Sequence, residues 1–365
     1  MKRKIQLSFI IIFLSLLFIP ILTLDNKSFV SKEENRFLAP KPLHVTEGRI
    51  NPQYFEECSS YLDDRFGKRK QLLSLNDFAN RILGKTLVNE KAMQGKDGWF
   101  FYIKKTDGDN LGDFMKKNLM SKDELDKFKE RISDAAKWCD DNGIKCIFLI
   151  CPNKHSVYGE FYPFERPSGP TRADQFSELF GELGIPFVYS RDYIISQKQN
   201  YGFPLYYETD THWNPQGAYL SFTQLRDIIA SLFPDKSFPK VEYSVAVDYS
   251  MTSGDILPML RVKKAKSTQV SLKPTGCQRT DLYTYIKNDG KNGVHTEGAD
   301  KSLPRALIYR DSFFGALEPF VSPLFSESEY IWKRFSEEDK EHVLEYKPDL
   351  IIFQAVERLS PYIVH

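Results

Sequence analysis

The sequence predicts an α/β protein: a parallel sheet with helices on both faces. Two observations carry that expectation. Beyond about residue 95, short apolar runs rich in branched and aromatic residues alternate with longer segments whose apolar residues recur at helical spacing, the order that winds a parallel sheet. At 365 residues, with 41% hydrophobic and 14% aromatic content, the chain also has enough apolar surface for a sizeable core.

The elements follow in chain order. Lys2, Arg3 and Lys4 precede an apolar run over residues 5–24, which as a helix would extend ~30 Å, about one bilayer core. Positive flanking charge holds that end in the cytoplasm. The competing reading is a cleaved signal peptide, but no small-x-small site stands near Leu24, so residues 1–24 are read as an uncleaved membrane anchor. Everything after Asp25 is then expected in the periplasm or outside the cell. Residues 25–90 read as a polar linker and an amphipathic juxtamembrane stretch over 52–83. Residues 91–365 form the body: a strand over 99–103 introduced by the Asp97-Gly98 turn, helix 122–142, strand 145–151, helix 171–183 and strand 186–190. Helix 216–233 follows behind Pro215, then strand 305–310 with a helix from Phe313, strand 329–333, helix 336–346 and strand 349–354. Residues 234–302 break the alternation and read as an irregular, partly β insertion that shapes a cleft.

Composition excludes some classes of function. The formal charge is +1, acids match bases, and no long basic run or zinc-finger spacing appears, so nucleic acid is not an expected partner. The chain holds 28 Phe and 19 Tyr; exposed rings stack well on sugars, although the core claims most of them. Five cysteines (Cys58, Cys139, Cys146, Cys151 and Cys277) leave one unpaired however they combine and make no disulfide framework. Cys146 and Cys151 lie in an apolar run and read as buried thiols.

Two strings carry chemistry: Asp210-Thr211-His212-Trp213 and Arg310-Asp311-Ser312-Phe313. A serine hydroxyl is a poor nucleophile until an imidazole removes its proton, and the imidazole needs a carboxylate to set its tautomer and steady its charge. Ser312, His212 and Asp210 can fill those roles. Of the six histidines, only His212 lies two residues after a carboxylate and beside a helix start, with Trp213 as aromatic cover. Ser312 is expected at a strand-to-helix turn, where unpaired amides make an oxyanion hole and Gly315 lets a substrate approach. Each string has a plainer reading, Asp-Ser as a helix cap and Asp-Thr-His-Trp-Asn as a loop ended by a capping Asn214. No HExxH or paired-Cys spacing completes a metal site, so none is expected.

The chain resembles the SGNH-hydrolase-like O-acetyltransferases of the alginate AlgX/AlgJ type, also called DHHW proteins. The likeness runs through Glu34-Asn35-Arg36-Phe37-Leu38-Ala39-Pro40, Asp64-Arg65-Phe66 with Arg69, the string from Gly95 to Tyr102, Pro152-Asn153-Lys154 and the two strings above. It implies an SGNH-like fold in circularly permuted order, since Asp210 and His212 precede Ser312. It also implies that Asp210, His212 and Ser312 are a catalytic triad in an enzyme without cofactor. The Gly-x-Asn-Asp end expected on strand 349–354 is replaced by Ala355-Val356-Glu357-Arg358. The missing oxyanion donor then falls to Gln354, Arg358 or Asn153, while Arg310 and Trp213 are further candidates for substrate contact. Glu357 and Arg358 could instead pair with each other, and Asn153 could be only a turn residue.

The resemblance implies a membrane-anchored O-acetyltransferase that passes acetyl through an acetyl-serine to hydroxyls of an exopolysaccharide. A membrane-bound O-acyltransferase would deliver the acetyl group across the cytoplasmic membrane, and a C-terminal carbohydrate-binding module, present in some relatives, is expected to be missing. The alternatives are a carbohydrate acetylesterase with the same triad, and a non-catalytic glycan-binding or assembly protein.

Overall fold

A computed structural model describes residues 2–24, 30–31, 36–46, 48–68, 72, 86–288 and 293–365. The chain divides into two compact units, residues 1–85 and 86–365. The first holds a helix over Lys2–Leu22, two antiparallel ribbons of two-residue strands, and a helix over Tyr54–Arg65. Two of the quoted motifs meet there: Asp64 Oδ2 accepts the Ala39 N–H at 2.6 Å, and Arg65 Nη2 donates to the Ala39 carbonyl at 3.3 Å. Among the described residues no helix is long and apolar enough to cross a membrane. Several side chains of the expected anchor, together with Glu34, Asn35, Arg69 and most of the stretch after residue 68, lie outside the described residues.

In the second unit, the turn at Asp97 and Gly98, with φ of 52° and 80°, joins β1 (Ala92–Gln94) to β2 (Phe100–Tyr102) in an antiparallel pair. The main sheet is built from β3 (Lys145–Cys151), β4 (Phe187–Tyr189), β7 (Tyr283–Asn288), β8 (Val294–Gly298), β9 (Arg305–Tyr309), β10 (Glu327–Ile331) and β11 (Leu350–Val356). The spatial order is β7-β8-β10-β9-β11-β3-β4. Strands β10, β9, β11, β3 and β4 are mutually parallel, as the alternation predicts. The other two correct the expectation of a parallel sheet, because β7 and β8 add antiparallel to its edge and make it mixed. The reason is connection length: the few residues between Asn288 and Val294 can close a hairpin but cannot form the crossover a parallel pair requires.

The insertion is therefore more regular than the sequence suggests. Its first half is a ribbon of β5 (Tyr243–Thr252) against β6 (Ala265–Pro274), paired from Tyr243 with Pro274 to Thr252 with Ala265. Its second half belongs to the sheet.

Side-chain alternation on the central strands separates two cores. Ile147, Leu149, Ala306, Ile308, Leu350 and Ile352 face one layer, with Leu225 and Ile229 of α3 (Pro215–Leu232). Phe148, Ile150, Leu307, Tyr309, Ile351 and Phe353 face the other. That layer contains Phe128 and Ile132 of α1 (Lys122–Asp141), Phe176 and Phe180 of α2 (Arg172–Leu183) and Val343 of α4 (Lys340–Tyr346). Strands buried on both faces read as continuous apolar runs, which is why 145–151 and 349–354 stand out in the sequence. Each such branched or aromatic side chain contributes about 1.5–3 kcal/mol on burial.

The helix expected from Phe313 is instead a 3-10 turn over Ser312–Ala316, followed by a four-residue helix, Glu318–Val321, and a second 3-10 turn, Ser322–Leu324. Pro319 and Pro323 each start a new turn where a continuous α-helix would need an N–H. The carboxyl ends of β9, β11 and β3 lie side by side, so residues 310–312, 357–358 and 152–154 emerge along one edge of the sheet.

Candidate active site

His212 sits on a tight turn closed by backbone bonds from Tyr207 N–H to the His212 carbonyl (3.2 Å) and from Asn214 N–H to the Leu205 carbonyl (3.0 Å). Asn214 then caps α3, its side chain accepting from the amides of Gln216 and Gly217, with Pro215 in the first turn. The capping reading and the chemical one are compatible. The cap fixes the helix start, and that start fixes the turn.

Across 100 residues of sequence, His212 Nε2 lies 2.8 Å from Ser312 Oγ. The other ring nitrogen, Nδ1, lies 2.7 Å from Asp210 Oδ1. The backbone N–H of His212 donates to the same oxygen and that of Asp255 to Asp210 Oδ2, both at 3.1 Å. Burial raises the Asp210 carboxyl, but these hydrogen bonds and the His212 ring outweigh it and leave the group below its ordinary range. The His212 side chain is 29% exposed and that of Asp210 26%, so the pair borders solvent. Trp213 lies beneath, fully buried, and its Nε1 donates to the Phe313 carbonyl at 3.0 Å. Expected as a substrate contact, Trp213 instead ties the histidine turn to the serine turn.

Asp255, which sequence reasoning missed, completes the cluster. Its carboxylate accepts from Thr211 N–H (2.7 Å) and Thr211 Oγ1 (2.5 Å), and Oδ2 stands 3.7 Å from His212 Nδ1. Burial and the neighbouring Asp210 charge raise its pKa above the ordinary range. Only the fold brings it near: it follows β5, and Gly254 before it has φ of +41° and packs so closely on the Thr209 carbonyl that a Cβ would lie 2.1 Å from that oxygen. Asp210, His212 and Asp255 offer three ligand atoms within 4.8 Å of one another. Both ring nitrogens of His212 already have hydrogen-bond partners, an arrangement that suits proton holding.

The remaining candidates separate into two groups. Gln354 is locked: its Oε1 accepts the Asp311 N–H at 2.8 Å, and its Nε2 donates to Asp311 Oδ1 at 2.9 Å and Cys151 Sγ at 3.3 Å, so it cannot serve as an oxyanion donor. Asp311 is the latch of this corner, accepting also from the amides of Phe313 and Val356 (3.0 and 2.7 Å) and from Arg334 (3.3 Å). The Phe313 amide is thereby spent, which removes one expected oxyanion donor. Arg310 is buried, its guanidinium stacked 4.6 Å from the Trp332 ring centre and bonded to the Asp311 carbonyl, a packing role where substrate contact was expected.

Gly315 and Asn153 remain available, and Arg358 does in part, since its Nε pairs with Asp107 Oδ2 at 3.4 Å. The position above Gly315 is open. Arg358 does not pair with Glu357, whose carboxylate instead accepts from Asn153 N–H and Ser156 Oγ, both at 2.8 Å. The Arg358 guanidinium lies over the Phe313 ring, 6.0 Å from its centre, and 3.5 Å from Asn153 Oδ1. Asn153 Nδ2 is buried without a protein partner among the described residues and lines, with Thr211 and Arg358, a cavity of about 10 Å³, room for roughly one water.

Residues 92–291 match the family described as SGNH hydrolase-like domain, acetyltransferase AlgX. The chain belongs to this family. The matched span holds Asp210, His212 and Asp255 and ends before Ser312. The AlgX-type assignment agrees with two relatives, each named probable alginate O-acetylase AlgJ. That of Pseudomonas syringae pv. tomato is 24% identical over 217 residues, 58% of this chain and 51% of the relative. That of Pseudomonas putida is 23% identical over 185 residues, 48% and 47% of the two chains. The chain thus matches about half the length of these relatives. Bacillus cereus PatB1 superposes with a TM-score of 0.53 over 72% of this chain and 95% of its own, at 13% identity, a likeness of fold. The architecture is accordingly an SGNH-hydrolase-like α/β fold with a mixed sheet flanked by helices.

Proposed function

We propose that the chain is a membrane-anchored, extracytoplasmic O-acetyltransferase that carries acetyl on Ser312 and passes it to hydroxyls of an exopolysaccharide. The observation that supports this reading most directly is the hydrogen-bonded chain from Asp210 through His212 to Ser312. In the first half-reaction His212 Nε2 takes the Ser312 proton, Oγ bonds to the acetyl carbon of an activated donor, and the donor's leaving group departs with the proton returned by His212. Ionised Asp210 steadies the intermediate imidazolium. Asn153 Nδ2, which lacks a protein partner among the described residues, and Arg358, over the Phe313 ring, are the side-chain candidates left to hold the developing oxyanion. In the second half-reaction His212 deprotonates a sugar hydroxyl, which attacks the acetyl-serine; the ester forms on the sugar, the Ser312 ester bond breaks, and the proton returns to Oγ.

The anchor rests on the apolar run behind Lys2, Arg3 and Lys4. A donor outside the membrane implies a membrane-bound O-acyltransferase as supplier, and AlgJ and AlgX relatives suggest a polysaccharide acceptor.

One observation favours a second reading. His212 is solvent-accessible, so water can compete with a sugar hydroxyl and the same groups would make an acetylesterase. Full-length protein exposed briefly to an activated acetyl ester, with and without oligosaccharide, separates the cases by mass spectrometry. One acetyl on Ser312, discharged onto sugar, supports the transferase. Discharge to acetate indifferent to sugar supports the esterase, and no adduct in wild type would support a non-catalytic, glycan-binding role. Ser312→Ala is expected to lose the adduct and at least about 10³-fold in turnover.

A further inference from the structure

Lys154 leaves the carboxyl end of β3 and opens a four-residue helix, Lys154–Val157, with only 5% of its surface exposed. A buried ammonium is costly unless every proton finds an acceptor. Here all do: Nζ donates to the backbone carbonyls of Tyr207 (3.1 Å), Glu208 (3.2 Å) and Asp210 (2.6 Å), and the rings of Trp99 and Phe101 lie 5.6 and 5.3 Å away. The three carbonyls belong to the turn that carries Asp210 and His212. The other end of the lysine is equally fixed, since its neighbours Asn153 and Ser156 are bonded to Glu357 at the end of β11.

We propose that Lys154 is the positioning residue of the Asp210–His212 turn, an internal cation around which three carbonyls are wrapped so that the carboxylate faces Nδ1 and Nε2 faces Ser312. This rests on the reading of those three residues as catalytic. The physical case is that three carbonyl oxygens converging on one point repel each other unless a cation sits among them. Among the described residues the Tyr207 and Asp210 carbonyls have no other hydrogen-bond donor, and the Glu208 carbonyl accepts also from the Phe100 amide at 2.8 Å. Lys154 thus transmits the rigidity of the sheet to the histidine turn. The charged and titratable groups facing it are Glu208 and Asp210 on the turn, Asp255 after β5, and Arg358 and His155 in the adjoining cavity, where burial keeps His155 neutral. Burial pushes the ammonium down to about 7, opposed by Asp255, Asp210 and Glu208, so the three-donor cation that holds the turn is the form present below that pH.

The test replaces Lys154 with methionine in the full-length protein, preserving length and removing all three donors. Two measurements follow, both below about pH 7, where the ammonium is present: steady-state hydrolysis of an activated acetyl ester, and the low-field proton NMR resonance of His212 Nδ1–H. A positioning role lowers kcat about 10²-fold with KM changed less than about threefold. It also abolishes the resonance while far-ultraviolet dichroism stays native. A folded variant that keeps the resonance and loses less than about threefold in kcat overturns the proposal. If the methionine variant does not fold, Lys154→Gln, which retains one amide donor group, is read by the same two criteria. The resonance does not depend on turnover, so failure of wild type to acetylate Ser312 would refute the acetyl-transfer reading and leave the test of Lys154 intact.

Discussion

Asparagine at position 210 would keep the shape of the side chain and remove one acceptor and the charge. Asp210 now serves three donors: the His212 ring and backbone N–H through Oδ1, and the Asp255 amide through Oδ2. Asn has a single acceptor oxygen. If that oxygen faces His212, the NH₂ group opposes the Asp255 amide, at a cost of about 1–3 kcal/mol for the orphaned donor. If the NH₂ faces His212, Nδ1 must become the acceptor, Nε2 carries the proton, and the ring cannot accept one from Ser312.

Loss of charge acts in either orientation. At an effective dielectric of about 20, a carboxylate 2.7 Å from Nδ1 steadies an imidazolium by roughly 6 kcal/mol, and one at the 3.7 Å of Asp255 by roughly 4.5 kcal/mol. Asp255 therefore covers part of the deficit, the more readily because its pKa falls once the Asp210 charge is gone. A drop in kcat of about 10³-fold, or about 4 kcal/mol, is expected for Asp210→Asn, and a further fall of at least about tenfold for Asp210→Asn with Asp255→Asn. Hydrolysis of an activated acetyl ester, followed together with thermal melting, measures both. A single variant within about threefold of wild type would refute the role given to Asp210, and a double variant no worse than the single would refute that of Asp255.

Three more outcomes follow from the packing. Asp311→Ala orphans the Phe313 and Val356 amides and takes one acceptor each from Gln354 Nε2 and Arg334 Nη2 in a buried corner; a loss of about 3–5 kcal/mol in urea-unfolding stability is expected, and a loss under about 1 kcal/mol would contradict the latch. Gly254→Ala drives a Cβ into the Thr209 carbonyl at positive φ, so melting should fall by the equivalent of at least about 2 kcal/mol and turnover with it. Lys154 makes stability depend on pH. Its ordinary value of 10.5 falls to about 7 on folding, so between those values the unfolded chain binds a proton that the folded chain has released. Stability from this group therefore rises with pH across that window, by up to about 1.4 kcal/mol per unit, and is lowest below about pH 7. Urea midpoints of Lys154→Met should lack this rise, and identical pH slopes would count against it.

The sequence alone reveals the layers and three side chains of the candidate site. Strands β3, β9 and β11 are apolar on both faces, so they are legible as runs, and their alternation with amphipathic segments predicts a doubly covered sheet. Asp210, His212 and Ser312 stand out because acyl-transfer chemistry demands those types next to helix starts. Local pattern also misleads where two readings share it. Gln354, Arg310 and Trp213 lie beside the chemistry in sequence, yet each is consumed by partners that only folding supplies: Asp311 and Cys151, the Trp332 ring, and the Phe313 carbonyl.

Tertiary structure decided what no spacing encodes. The antiparallel edge of β7 and β8 depends on a short connection and on pairing with β10, a strand beyond β9 in sequence. Asp255 reaches His212 through a ribbon whose placement is set by packing, and Lys154 has three acceptors only because β3 ends beneath a turn more than fifty residues away. Periodicity reports which side of an element is apolar, a property of neighbours in the chain. The partners of a buried charge are a property of neighbours in space.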